Sequence, residues 1–238
     1  MQRRTRSSIT TGTSVKKFSV AHPMESSGYQ AAVAGLDGAL REAGTLEDQQ
    51  REGIITERRG IAVRRGVIDR VWAVHLPHLR AAARRAEREQ PDLARTFRLK
   101  PTKNTIAARR AAAGSMLDAA QANKEVLVRY GMDDSVVNDL VQALAEFDAA
   151  DEQCIAGRGA HVGATARLEV VGQEIVELVR VIDGLNRVRF RNDEALLAEW
   201  VSMSTLRAEP KGSASEEAAP GAGSTGGPPA GEVTRPAA

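Results

Sequence analysis

Aromatic residues are scarce in this chain, at 3% of its 238 residues. A sheet normally draws on aromatic and β-branched side chains, so this scarcity argues against a strand-rich core. Alanine, leucine, arginine and glutamate are abundant instead, and these residues favour helices. The composition therefore predicts an all-α protein, and a hydrophobic fraction of 42% allows a folded core.

Cysteine, net charge and long apolar runs are also nearly lacking. The one cysteine, Cys154, excludes an internal disulfide and a multi-cysteine zinc site. No run of about eighteen apolar residues occurs, so we expect no membrane-spanning helix and no membrane partner, and we predict a cytoplasmic location. A formal net charge of +2 argues against general coating of nucleic acid but leaves local basic patches open.

Composition divides the chain into three parts. Residues 1–24 are basic and rich in hydroxyl groups, which predicts a disordered arm; an organelle transit peptide is the alternative. Residues 25–203 carry helical periodicity throughout and form the predicted bundle. Residues 204–238 are rich in glycine, proline, serine and alanine, which predicts a disordered tail.

Apolar residues recur at four-three spacing through the first half of the bundle and predict one helix from about residue 26 to 88. A break at Gly44 and Thr45 and a kink at Pro77 remain open. The seam predicted to face the core consists of Tyr29, Val33, Leu36, Leu40, Ala43, Ile54, Ile61, Ile68, Val71 and His75.

Three further segments complete the predicted bundle. Residues 89–103 contain two prolines and predict a connector, and residues 104–130 predict a helix that Gly131 ends. Asp133 and Asp134 are predicted to cap a helix of about fifty residues. The cap and the docking residues of a short final helix are predicted at Asn192, Asp193, Glu194, Leu196, Leu197 and Trp200. The whole pattern predicts an elongated antiparallel bundle of coiled-coil type.

Glycines at 157, 159 and 163, in the stretch IAGRGAHVGATA, approach the spacing of a dinucleotide-binding loop. Such a loop follows a strand, whereas the residues before Gly157 have helical periodicity. We therefore predict that the stretch lies within a helix and allows a neighbouring helix to approach closely. A kink or a local loop is the alternative.

Candidate catalytic and metal-binding groups fall short of complete sites. His75 and His78 lie one turn apart but provide only two of the three or four ligands that zinc needs. Cys154 and His161 are separated by about 10 Å along a straight helix, too far for a thiolate–imidazolium pair. The Glu-x-x-His pairs of di-iron bundles do not occur. We assign no catalytic residue, metal or cofactor and predict that the protein is not an enzyme.

Two basic clusters are the remaining candidate site. If the bundle brought them together, they would form an anion patch for nucleic acid or another polyanion. The patch would consist of Arg95, Arg98, Lys100, Lys103, Arg109, Arg110, Arg187, Arg189 and Arg191.

Two segments, VLVRYGMDDSVVNDLVQALAEFDAA and CIAGRGAHVGATARLEVVGQEIVELVRVIDGLNRVRFRNDEALLAEW, resemble uncharacterised bacterial proteins of GC-rich genomes. The resemblance covers about residues 110–200 and implies a long helical bundle, but it assigns no site residue. The sustained apolar seam and the absence of any catalytic grouping lead us to expect a structural or protein-interaction module that self-associates or binds another protein. Polyanion binding through the arginine-rich ends is the alternative function.

Overall fold

The computed structural model describes residues 3–98, 100–101 and 103–205, and the predicted tail lies almost entirely outside them. The fold is all-α, as predicted, and the described residues contain no strand. None of the described helices is long and apolar enough to cross a membrane. The α-helices are α1 (Arg3–Ala21), α2 (Ser27–Arg70), α3 (Leu76–Arg85), α4 (Pro91–Phe97), α5 (Ile106–Ala122), α6 (Lys124–Arg129), α7 (Ser135–Arg189) and α8 (Glu194–Ser204).

The long first helix is confirmed, and it continues through Gly44 without a break. Between α2 and α3 lies a π-helical turn, Val71–His75, in which the Leu76 N–H donates to the Val71 carbonyl. Pro77 explains this turn, because its ring would clash with the carbonyl four residues earlier in a regular α-helix. The wider turn relieves the clash while the chain stays helical.

The prediction of a disordered arm at residues 1–24 is wrong over the described part, because residues 3–21 form α1. Its buried face includes Thr5, Ser8 and Thr11 beside Val15 and Phe18. The Ser8 hydroxyl donates to a main-chain carbonyl one turn back, so its burial leaves no unsatisfied donor. The hydroxyl-rich composition therefore concealed an interior face of the helix, on which Thr5, Ser8 and Thr11 are buried.

The connector predicted at residues 89–103 and the helix predicted at residues 104–130 each differ from expectation. Residues 89–103 contain α4, which begins at Pro91, where a missing N–H costs nothing. The helix predicted over 104–130 is interrupted at Asn123. Gly131 ends it as predicted: φ is 90°, and the N–H groups of Gly131 and Met132 donate to carbonyls of the last turn.

Helices α2 and α7 lie antiparallel and form the axis of the fold. Their closest rows repeat every seven residues and are buried throughout: Ala32, Ala39, Leu46, Gly53, Gly60 and Val67 on α2, and Val136, Ala143, Ala150, Gly157, Ala164 and Val171 on α7. Two hydrophobic clusters lie at opposite ends of the pair. One is built from residues 67–147, and the other from residues 15–46 and 164–200.

Candidate interaction surface

The middle of the α2–α7 pair, which we call the waist (residues 50–64 and 151–165), is a close crossing of two main chains. A Cβ placed on Gly157 would lie 2.5 Å from the backbone nitrogen of Glu57, and one on Gly53 would lie 2.7 Å from that of His161. Only glycine fits such an approach. The predicted close crossing is therefore confirmed at Gly157, whereas a Cβ on Gly159 or Gly163 would meet nothing within 4 Å.

Polar side chains replace apolar ones beside this glycine row. On α2 they are Gln50, Glu57 and Arg64, again seven residues apart, and each contacts α7. The Gln50 amide donates to the Thr165 hydroxyl at 2.6 Å, and Glu57 lies 3.0 Å from Nε2 of His161. Arg64 pairs with Asp151. These polar pairs therefore fix the register of α2 against α7 at the waist.

A third helix, α1, covers one face of the α2–α7 pair at one end. Thr5 packs against Gly172 of α7, where an added Cβ would meet its Cγ2 at 3.0 Å. Gly12 packs against Leu40 of α2, 3.4 Å from an ideal Cβ to Cδ2. Leu40 and Gly172 therefore mark the face that α1 occupies.

At the other end α5 covers the same two helices. Arg109 donates to the main-chain carbonyl of Ile68 on α2, at 3.4 Å. Arg110 makes a bidentate pair with Asp148 of α7, at 3.0 and 2.7 Å. Ile68 and Asp148 mark the face that α5 occupies.

Between α1 and α5 this face is uncovered within the described part of the chain. Residues seven apart lie on nearly the same side of a helix. Ile61 is seven residues before Ile68, and Ile155 and Val162 follow Asp148 by seven and fourteen. Their exposed fractions are 41%, 67% and 53%. We call this surface the uncovered face: Ile54, Arg58, Ile61 and Arg65 of α2, with Ile155, Arg158 and Val162 of α7.

The uncovered face corrects part of the predicted core. Ile54 and Ile61 belong to the predicted seam, but Ile54 is only half-buried and Ile61 is exposed. Gly53 and Gly60 take the interior positions, because the two main chains are too close to admit larger side chains. The isoleucines are thereby left on the outer side, where none of the other described helices covers them.

The two basic clusters do not form one patch. Arg110 contacts α7 at Asp148, whereas Arg187 lies near the end of the same helix, about 60 Å away at 1.5 Å per residue. Most of their charges are already paired: Arg95 with Asp92, Arg98 with Glu87, Arg109 with Asp69, Arg110 with Asp148 and Arg187 with Asp183.

The remaining basic residues of the predicted patch differ in their surroundings. Arg189 donates to the carbonyls of His22 and Pro23, at 2.9 and 3.0 Å, and so holds the turn that follows α1. The other three are exposed and make no ion pair among the described residues: Lys100, Lys103 and Arg191.

Sequence inspection missed a depression beside the π-helical turn. It has a volume of about 600 Å³ and is lined by Trp72, Arg80, Arg98, Lys100, Pro101 and Asn104. The guanidinium groups of Arg80 and Arg109 lie over the Trp72 ring, 5.2 and 5.5 Å from its centroid. These arginines already make cation–π contacts with the indole, the same surface that a stacked base would use.

No cluster of three or more histidine, cysteine or carboxylate groups suited to a metal ion occurs among the described residues. Cys154 is half-buried at the waist, next to the main chain of Gly60. His161 is paired with Glu57 on the facing helix rather than with Cys154.

No protein-family model matches the chain, and neither curated proteins nor solved structures show significant similarity to it.

Proposed function

We propose that the chain is a non-enzymatic protein-interaction module that binds a partner α-helix on the uncovered face. The proposal rests on a gap in the layer of helices that covers one side of the α2–α7 pair. Helices α1 and α5 occupy the same side of the α2–α7 pair, and Ile61, Ile155 and Val162 lie exposed between them.

The dimensions of the uncovered face suit one helix. Along α7 it extends from Asp151 to Gly172, which is about 30 Å at 1.5 Å per residue. A partner helix of about twenty residues would have this length. Exposed aliphatic side chains rimmed by polar groups are typical of surfaces that bind another protein.

The charge of the uncovered face indicates the chemistry of the partner. Arg58, Arg65 and Arg158 are exposed and form no ion pair among the described residues. The nearby carboxylates of Glu57 and Asp151 are already paired across the waist. An acidic amphipathic helix would satisfy both the arginines and the aliphatic side chains.

Polyanion binding, the alternative function, has less support. Five of its nine basic residues pair with carboxylates within the chain, and the two clusters lie far apart. A polyanion would have to displace these carboxylates before it could bind.

Site-specific photo-crosslinking in the producing cell tests the proposed function. A photoreactive residue at Val162 should form a discrete protein adduct that disappears when Ile155→Arg is added. The control position is Ala156, which is also exposed but lies about 120° around α7 from Val162. Thermal melting should show that Ile155→Arg leaves the fold intact. Equal adducts at both positions, or none at Val162, would contradict the proposal.

A further inference from the structure

A second exposed stripe lies on α7, on a different side from the uncovered face. Val170, Glu174, Glu177 and Val181 follow at intervals of four, three and four, so they form one line along the helix. Val188 extends this line by seven residues. The three valines are exposed by 53%, 53% and 66%, in chain order. We call these five residues the acidic stripe.

The acidic stripe matches the uncovered face in spacing and opposes it in charge. Ile54, Arg58, Ile61 and Arg65 follow at the same intervals of four, three and four on α2. Each line carries two charged and two aliphatic side chains, and the charges are positive on α2 and negative on α7. With the two lines in register, one arginine faces a glutamate and one isoleucine faces a valine in either orientation. Val170 to Val188 spans about 27 Å, close to the length of the uncovered face.

The charged groups of both lines are exposed to solvent, and Glu174 is attracted only secondarily to Arg167, whose main partner is Glu42. Arg58, Arg65, Glu174 and Glu177 are exposed, and none forms an ion pair among the described residues. This distinguishes them from the carboxylates and arginines that join α2 to α7, such as Arg70 with Glu146 and Arg167 with Glu42. Complementary charge of this kind favours the pairing of one line with the other over the pairing of either line with its own copy.

We infer that the occupant of the uncovered face is a second copy of this chain, which presents its acidic stripe. The inference rests on the proposed function and names its partner. Val162 and Val170 differ by about 80° around α7, so the two surfaces are distinct and the contact is heterologous. A heterologous contact that does not close into a ring extends from copy to copy, so the chains associate head to tail.

Two charge-reversal variants test the inference. Arg58→Glu with Arg65→Glu removes the basic line but leaves the acidic stripe intact. Glu174→Arg with Glu177→Arg removes the acidic stripe but leaves the uncovered face intact. The control for the first variant is Arg59→Glu with Arg84→Glu, which makes the same change in net charge at exposed positions outside both lines.

Light scattering and sedimentation across a range of concentrations provide the measurement. The mass of the natural chain and of the control should rise steadily with concentration, and the rise should weaken between about 50 and 500 mM salt. Each reversal variant alone should have the mass of one chain. An equimolar mixture of the two should regain the rise of mass with concentration, because the lines of one variant are both acidic and those of the other are both basic, so every contact between the two variants is again complementary in charge.

A natural chain that stays monomeric, one that stops at two copies, or a mixture that stays monomeric would overturn the inference. The crosslinking at Val162 keeps this result separate from the proposed function. If that adduct forms and is lost with Ile155→Arg while the chain alone is monomeric, the partner is another protein: the proposed function holds and the inference fails.

Discussion

Gly157 and Glu57 lie on facing helices with their main chains in direct contact, so that a Cβ on Gly157 would be 2.5 Å from the Glu57 nitrogen. Gly157→Ala should therefore force α2 and α7 apart and lower the free energy of unfolding by about 1–3 kcal/mol. Gly159→Ala is the matched control, because its Cβ would meet nothing within 4 Å. That change should raise stability by up to about 1 kcal/mol through helix propensity. Chemical denaturation of both variants measures the difference, and equal effects would contradict the close crossing.

Phe18 anchors α1 to the end of the bundle. Its ring lies 5.8 Å from the ring of Phe190 and 5.1 Å from that of Trp200, and it is 3% exposed. Phe18→Ala should cost about 3–5 kcal/mol and release α1. Val20→Ala, at a position 70% exposed, should change stability by less than about 0.5 kcal/mol. Hydrogen exchange of the α1 amides measures this release. Full protection of these amides in Phe18→Ala would contradict the anchoring role of Phe18.

Asp193 caps α8 by accepting a hydrogen bond from the Leu196 N–H at 3.0 Å. Asp193→Ala should destabilise α8 by about 1 kcal/mol, whereas Asn192→Ala removes no such bond. The buried Trp200 ring, whose Nε1 donates to Asp183, reports the change by fluorescence once Trp72 is replaced by Phe. If the emission of Trp200 is the same in both variants under mild denaturant, the cap has no such effect.

Burial lowers the pKa of His75 below its ordinary value of 6.5. The charge of Asp139 opposes this effect, whereas Arg70 and His78 lower the pKa slightly further. The unfolded chain therefore takes up a proton near pH 6.5, while the native ring takes it up only at lower pH. Stability should fall as the pH drops from about 7 through this interval.

His75→Gln should flatten this pH dependence, whereas His78→Gln should reduce it only slightly, because it leaves the burial of His75 intact and removes only a smaller influence on its pKa. Melting temperatures from pH 7.5 to 5 provide the measurement. If the slope is the same in His75→Gln and in the natural chain, the lowered pKa does not affect stability.

The helical architecture could be predicted from the sequence because periodicity and capping residues act locally. The long helices, the end at Gly131 and the cap at Asp193 all depend on residues within a turn or two. The role of Gly157 was also predictable, since a glycine within a helix indicates either a weak point or a close neighbour.

The uncovered face could not be predicted in the same way, because it depends on which helix covers which. Ile54 and Ile61 have the spacing of core residues, and along one helix nothing distinguishes them from Leu40 or Ile68. The difference arises because α1 covers Leu40, α5 contacts Ile68, and neither reaches the residues between. The local sequence also gives no direct sign that α1 would pack through hydroxyl groups.

The two hydrophobic clusters differ in how much of the chain must exist before they can form. One lies wholly within residues 67–147, so its helices can assemble while the rest is still being synthesised. The other joins residues 15–46 to residues 164–200 and cannot close until Trp200 has been made. Helix α1 is therefore among the last elements to find its place, and until residues 190–200 have been made its Phe18 lacks the two aromatic rings that enclose it in the folded protein.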